Sequence, residues 1–217
     1  MRKVNVVTFP HSGTHLLRDL LKAYFKEDLV VCDSGKHCDL FGFDCINPLT
    51  NYKTNHLVES DKEYIKECNN SDMSYILQYR NPIMSCISWH GWNPDVLTKE
   101  KSLEIITQNV LWWKKWVKRW VIPYLQRGIP SQNNRLNVMY EYLVKYPEKT
   151  LEVIIRYIDN GRMDIDLRDK VIEEFDISPK HQVTDYKYFE ENRGAIIGLE
   201  NMCLKEMSIL KIPKVRW

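Results

Sequence analysis

The chain has 217 residues, 44% of them hydrophobic, which is enough to bury a sizeable core within a single domain covering 1–217. Its 31 basic and 29 acidic residues leave a net charge of +2, which argues against nucleic acid or an anionic membrane as the main partner. Strand-forming residues begin at Val4, and no run approaches the roughly 20 apolar residues that a membrane span needs. The sequence therefore predicts a soluble, cytoplasmic protein without a signal peptide.

Val4 to Phe9 reads as a short buried strand that runs into Pro10-His11-Ser12-Gly13-Thr14-His15. The following Leu16, Leu17, Leu20, Leu21, Tyr24 and Phe25 recur at steps of three to four and predict a helix over 14–26. The loop thus sits at a helix N-terminus, where unpaired N–H groups, the helix dipole, a glycine and two hydroxyls form an anion site. It is not a Walker A loop, which needs GxxxxGK followed by Ser or Thr; here the basic residue, His11, precedes Ser-Gly.

A polar region follows to about residue 50. Tyr75 to Tyr79 reads as a second strand, Arg80-Asn81 as its turn, and 82–90 as a helix with Pro82 at its first position. Leu103, Ile106, Val110, Trp113, Val117 and Trp120 stripe an amphipathic helix over 102–120. Its "WWKKWVKRW" end reads as tryptophans into the core and lysines to solvent, in preference to a nucleic-acid or membrane patch. A strand over 135–140 and helices over 147–159, 167–175 and 199–210 complete the pattern. Alternation of this kind predicts an α/β fold of three layers, a central parallel sheet with helices on both faces, and ligands at the carboxyl ends of the strands.

The six cysteines form no CxxC pair, and the spacing of Cys32, His37, Cys38 and Cys45 fits no common zinc pattern, so free thiols and no metal are expected.

"TFPHSGTHLL" resembles the 5′-phosphosulfate loop of sulfotransferases that use 3′-phosphoadenosine 5′-phosphosulfate (PAPS), usually Pro-Lys-Ser-Gly-Thr or Pro-Arg-Ser-Gly-Thr. "SYILQYRNPIMSCIS" resembles their 3′-phosphate segment, with Ser88 eight residues beyond Arg80. "NYKTNHL" is similar to the family's Lys-Thr-His element with Asn55 inserted before His56. "LNVMYEYLVKYPEKTLEVIIRYI" resembles its strand-to-helix passage, keeping Tyr140 and Glu141, and "NRGAIIGLE" echoes its Arg-Lys-Gly segment at Arg193 and Gly194. The motifs run in family order over about residues 4 to 200. They imply the P-loop nucleotide-hydrolase-like sulfotransferase fold and transfer of a sulfuryl group from PAPS to a hydroxyl or amine of a small-molecule or carbohydrate acceptor.

Sulfuryl transfer, like phosphoryl transfer, asks mainly for positioning, electrostatics and one base, and the lower charge of the transferred group makes a metal unnecessary. The resemblance implies His56 as that base, in a Lys-Thr context that includes Lys53. An imidazole titrates near neutrality and suits the role. His11 stands where the family has Lys or Arg against the leaving oxygen and the sulfonate. Two anionic groups beside it would favour its protonated form. It caps the loop in the blander reading, and His15 is a competing donor.

The implied cofactor site further comprises Pro10, Ser12, Gly13, Thr14 and Leu16, the last replacing a tryptophan that stacks on adenine. Arg80 and Ser88 meet the 3′-phosphate through a guanidinium fork and a hydroxyl, with Arg193 and Gly194 adding contacts. Tyr140 packs on the adenine or in the core. The stretches 33–50, 91–101 and 178–192 are expected to line the acceptor pocket. Two other readings remain open: a P-loop small-molecule or nucleoside kinase, and a regulatory module that keeps the nucleotide site without turnover.

Overall fold

The computed structural model describes residues 1–33, 51–55, 74–92, 102–122, 134–178 and 187–215. Five parallel strands form its sheet: β1 (Val4–Thr8), β2 (Val31–Asp33), β3 (Tyr52–Asn55), β4 (Ser74–Tyr79) and β5 (Arg135–Met139), in the order β2-β3-β1-β4-β5. β1 is central, with Val4 opposite Tyr52 on one side and Ser74 on the other. From β1 the chain moves out to β2, and after β3 it crosses to β4. The strand order therefore switches direction between β1 and β4, and a crevice opens there beyond their carboxyl ends.

Period-two alternation sends the strand side chains into two cores. Val4, Val6, Tyr52, Ile76 and Val138 pack under α1 (Thr14–Phe25), α5 (Pro147–Ile158) and α6 (Ile165–Glu174). Val7, Tyr75, Leu77, Tyr79 and Met139 pack under α2 (Pro82–Trp92), α3 (Ser102–Trp120), α8 (Arg193–Asn201) and α9 (Leu204–Leu210). The short helices α4 (Tyr140–Lys145) and α7 (Lys187–Glu191) complete the set. α1 and α2 belong to different cores and so lie on opposite faces of the sheet. The predicted three-layer α/β architecture is the observed one.

Each helix forms where its stripe can be buried. Leu17, Leu20 and Leu21 of α1 are wholly enclosed, and burying one such leucine contributes roughly 1.5–3 kcal/mol. In α3, Trp113, Trp116 and Trp120 are buried while Lys115 and Lys118 face solvent, as the stripe predicts. Trp112 departs from that pattern: it is half-buried and lines a cavity.

Three readings of the pattern need correction. β2 is a three-residue strand within what reads as a polar stretch. Tyr140 begins a helix instead of ending β5. The helix read over 199–210 is two helices, α8 and α9, parted at Met202 and Cys203. Among the described residues no helix is long and apolar enough to cross a membrane.

Candidate active site

The crevice between β1 and β4 is built from two strand-to-helix junctions. Thr8 and Gln78 are partners at the strand ends, and Phe9 N donates to Gln78 O at 3.2 Å, so the two loops begin side by side. In the first, His11 adopts φ 58° and Gly13 φ 83°, a left-handed conformation that glycine accepts without strain. The positive φ at Gly13 turns the chain into α1, and Leu17 N donates to Gly13 O at 3.1 Å in the first helical turn. A second constraint acts at the same glycine. A Cβ there would lie 2.2 Å from Cδ2 of Tyr140, so the ring sits where any other residue would put its side chain.

Ser12 Oγ and Thr14 Oγ1 are buried without a hydrogen-bond partner. Buried hydroxyls are normally paired. These two, at a helix N-terminus, leave donors for an anion.

The second junction follows β4. Arg80 is only 4% exposed, its Nε has no partner, and its guanidinium carbon lies 4.1 Å from the centre of the Tyr140 ring. Burial lowers the Arg80 pKa, opposed by Tyr140 and Glu141. A guanidinium nonetheless stays charged in proteins, so this is a buried cation stacked on a ring. Trp113 of α3 donates its indole N–H to Arg80 O at 2.8 Å.

Asn81 fixes the turn. Its Oδ1 accepts from Ile83 N (2.8 Å) and Met84 N (3.2 Å), capping α2, and its Nδ2 donates to Glu200 Oε1 (3.0 Å) and Pro213 O (2.9 Å). Its backbone N–H donates to Glu141 Oε1 at 2.8 Å. Burial raises the Glu141 pKa, opposed by hydrogen bonds from backbone N–H groups and by the Arg80 charge.

Both junctions open on one cleft of about 470 Å³. The predicted residues Pro10, His11, Gly13, Thr14, His15, Leu16, Arg80, Ser88 and Tyr140 all line it. Ser12 lies beneath, fully buried. Arg193 and Gly194 do not belong to the lining. They open α8 as exposed residues. The Tyr140 ring lies between Gly13 and Arg80, and its body is therefore engaged by protein. Lys53 lies in β3, paired with Asn5 of β1. His56 falls outside the described residues; its predecessor Asn55 closes β3 in register with Val7.

Asp19, Phe175 and Asp176, which the sequence reading did not single out, complete the cleft wall with Ser178, from the stretch expected at the acceptor pocket. Phe9, Ser85, Cys86, Trp89, Asn109 and Trp112, together with Pro10 and His11, line a second, mostly apolar cavity of about 230 Å³. Of the stretches expected to line an acceptor pocket, 34–50, 93–101 and 179–186 lie outside the described residues. Most of the Cys32-His37-Cys38-Cys45 cluster does too; among the described residues no group of three or more His, Cys, Asp or Glu is arranged to hold a metal.

No protein-family model matches the chain, and no curated protein does. Solved structures do. A mouse sulfotransferase, SULT7A1, crystallised in complex with PAP, superposes with a TM-score of 0.62 at 18% identity over 82% of this chain. The sulfotransferase domain of the Synechococcus PCC 7002 olefin synthase gives 0.55 at 16% identity over the same share. The chain spans 64% of the length of the first and 85% of the second. The fold is the sulfotransferase fold.

Proposed function

We propose that the protein is a sulfotransferase that takes its sulfuryl group from PAPS. The observation that carries the proposal is the pairing of two anion sites in one cleft: a hydroxyl-bearing loop at the α1 N-terminus, and a buried cation, Arg80, sharing the wall with Ser88. A mononucleotide with phosphates at both 5′ and 3′ positions is the ligand that such a pair fits.

In this reading the 5′ end meets the N–H groups and hydroxyls of Ser12 and Thr14. Arg80 and Ser88 hold the 3′-phosphate through charge-assisted bonds. Leu16 and Phe175 offer apolar wall to the base, while Tyr140 braces Arg80 from below. When the donor is bound, an acceptor oxygen forms the new O–S bond as the S–O bond to the 5′-phosphate breaks, its electron pair leaving on the phosphate oxygen. His56 takes the acceptor's proton. His11, at the edge of the cleft, holds the leaving oxygen and the sulfonate in its protonated form, aided by the charge of Lys53. None of these roles calls for a divalent cation.

The test is a melting experiment on the whole chain. Adenosine 3′,5′-bisphosphate raises the melting temperature far more than 5′-AMP, by mass action on the native state, and Arg80→Gln removes the difference between them. Equal shifts from the two nucleotides with the wild-type chain overturn the assignment. Turnover with PAPS persists in excess chelator; turnover lost to EDTA and restored by Mg²⁺ points instead to the kinase reading.

A further inference from the structure

Arg80 Nε has no partner, and the guanidinium rests on the face of the Tyr140 ring. A ring face attracts a cation but does not fix the direction of its N–H groups. The aim of this side chain therefore falls to the backbone it leaves from, and that backbone is pinned at one peptide unit. Arg80 O accepts the Trp113 indole N–H at 2.8 Å, and Asn81 N donates to Glu141 Oε1 at 2.8 Å.

The Asn81 side chain is pinned as well. A primary amide offers two acceptor sites on its oxygen and two N–H donors. Oδ1 takes Ile83 N and Met84 N, and Nδ2 gives one hydrogen to Glu200 Oε1 and the other to Pro213 O. Turned over, the amide would set its oxygen against a carboxylate and a carbonyl, so a single orientation is satisfied. Glu200 Oε1 also takes a second donor, Val215 N at 2.9 Å. The carboxylate is 2% exposed, and bonds of this charged kind are what hold such a group away from water.

The segment after α9 is brought to this point by its own packing. Lys211, at φ 55°, ends the helix, and Ile212 N then donates to Met207 O at 2.9 Å. The Ile212 side chain is buried in the core under α2 and α3, and Val215 packs against the same core. Pro213 O and Val215 N, two residues apart, thus meet Asn81 and Glu200. We propose that Glu200 is a positioning residue for Arg80: it locks the Asn81 amide to the segment 212–215, and this clamp aims the guanidinium at the 3′-phosphate. The proposal rests on the sulfotransferase reading, which puts that phosphate at Arg80. Glu200 is not part of the cleft wall. Its effect is selective, because a guanidinium fork pairs with two phosphate oxygens only in the right plane, while the 5′ end is met by the α1 N-terminus.

The experiment measures the affinities of the whole chain for adenosine 3′,5′-bisphosphate and for 5′-AMP by calorimetry, and reads the ratio between them. Glu200→Ala lowers the preference for the bisphosphate by about 2- to 30-fold, the range for residues that act on a site without touching its ligand, and leaves 5′-AMP affinity unchanged. Glu200→Gln keeps an oxygen that can accept both N–H groups and restores most of the preference. Val215→Pro deletes the backbone donor and moves the preference in the same direction as Glu200→Ala. Val215→Ala, which keeps that donor, leaves it at the wild-type value.

A preference unchanged in either Glu200→Ala or Val215→Pro overturns the proposal. So does a loss of 5′-AMP affinity by the same factor as that of the bisphosphate, which marks damage to the fold at large. If Glu200→Ala fails to fold, the two Val215 variants decide. A wild-type chain with no preference at all fails at an earlier step: it overturns the assignment of Arg80 to a 3′-phosphate, and the role of Glu200 falls with it.

Discussion

At the β4 end of the cleft, one asparagine is bonded to the first turn of α2, to Glu200 of α8, to the carbonyl of Pro213 and to Glu141 of α4. At the β1 end, the loop takes its shape from two left-handed residues, His11 and Gly13, and from a ring packed against the glycine. The β4 junction holds its cation by ties to distant parts of the chain. The β1 junction presents hydroxyls and an imidazole by local backbone conformation. The proposed division of labour follows from this difference: grip at the 3′ end, chemistry at the 5′ end.

The largest effect that can test the division is at His11. His11→Ala lowers kcat by about 10²- to 10³-fold, the scale of one transition-state donor, while bisphosphate affinity measured by melting changes little. His11→Lys keeps activity and removes one limb of the pH–rate profile. If His11→Lys is as inactive as His11→Ala, position 11 does not supply a fixed charge, and it displaces His56 as the base.

Asn81→Ala attacks the other junction. It removes a helix cap, worth about 1 kcal/mol, and leaves buried partners unsatisfied at roughly 1–3 kcal/mol. Denaturant unfolding should show the sum, and bisphosphate affinity should fall with it. Unchanged stability would mean that the turn does not depend on its ties. Gly13→Ala comes next: the positive φ costs about 1–3 kcal/mol for a residue with a Cβ, and Tyr140 must also move. Its signature is lost bisphosphate binding in a protein that still unfolds cooperatively.

The smallest effect is electrostatic. Burial raises the Glu141 pKa above the ordinary 4.5, so the folded protein holds that proton more tightly than the unfolded chain. The resulting stability is fully present below 4.5 and is lost as pH rises through the raised value. Wild type should therefore gain stability relative to Glu141→Gln as pH falls across that window. A flat difference would show that Glu141 titrates in its ordinary range.

Both junctions were legible because their signals are local. A strand, a turn with Gly13 or Pro82, and a helix stripe lie within about twenty residues of one another. The ties that hold Asn81 were not legible, since Glu200 lies 119 residues away and no spacing rule spans that distance. The second cavity was hidden for a related reason. Trp112 read with the other tryptophans of α3 as turned into the core, and only the packing of α2 against α3 separates Trp113, which is buried, from Trp112, which lines the cavity. Arg193 and Gly194, legible in sequence as a motif, open the exposed first turn of α8.

The Tyr140 ring touches both ends of the cleft, Gly13 at one and the Arg80 guanidinium at the other. A rigid plane in that position would make the two proposed phosphate sites thermodynamic neighbours. An occupant that shifted the loop would shift the ring, and with it the cation. Linkage then requires reciprocity: by whatever factor an anion in the loop alters the grip of Arg80 on a second anion, the second alters the first. The affinity of the whole nucleotide is accordingly a property of the pair, and the affinities of its two halves, measured separately, need not multiply to give it.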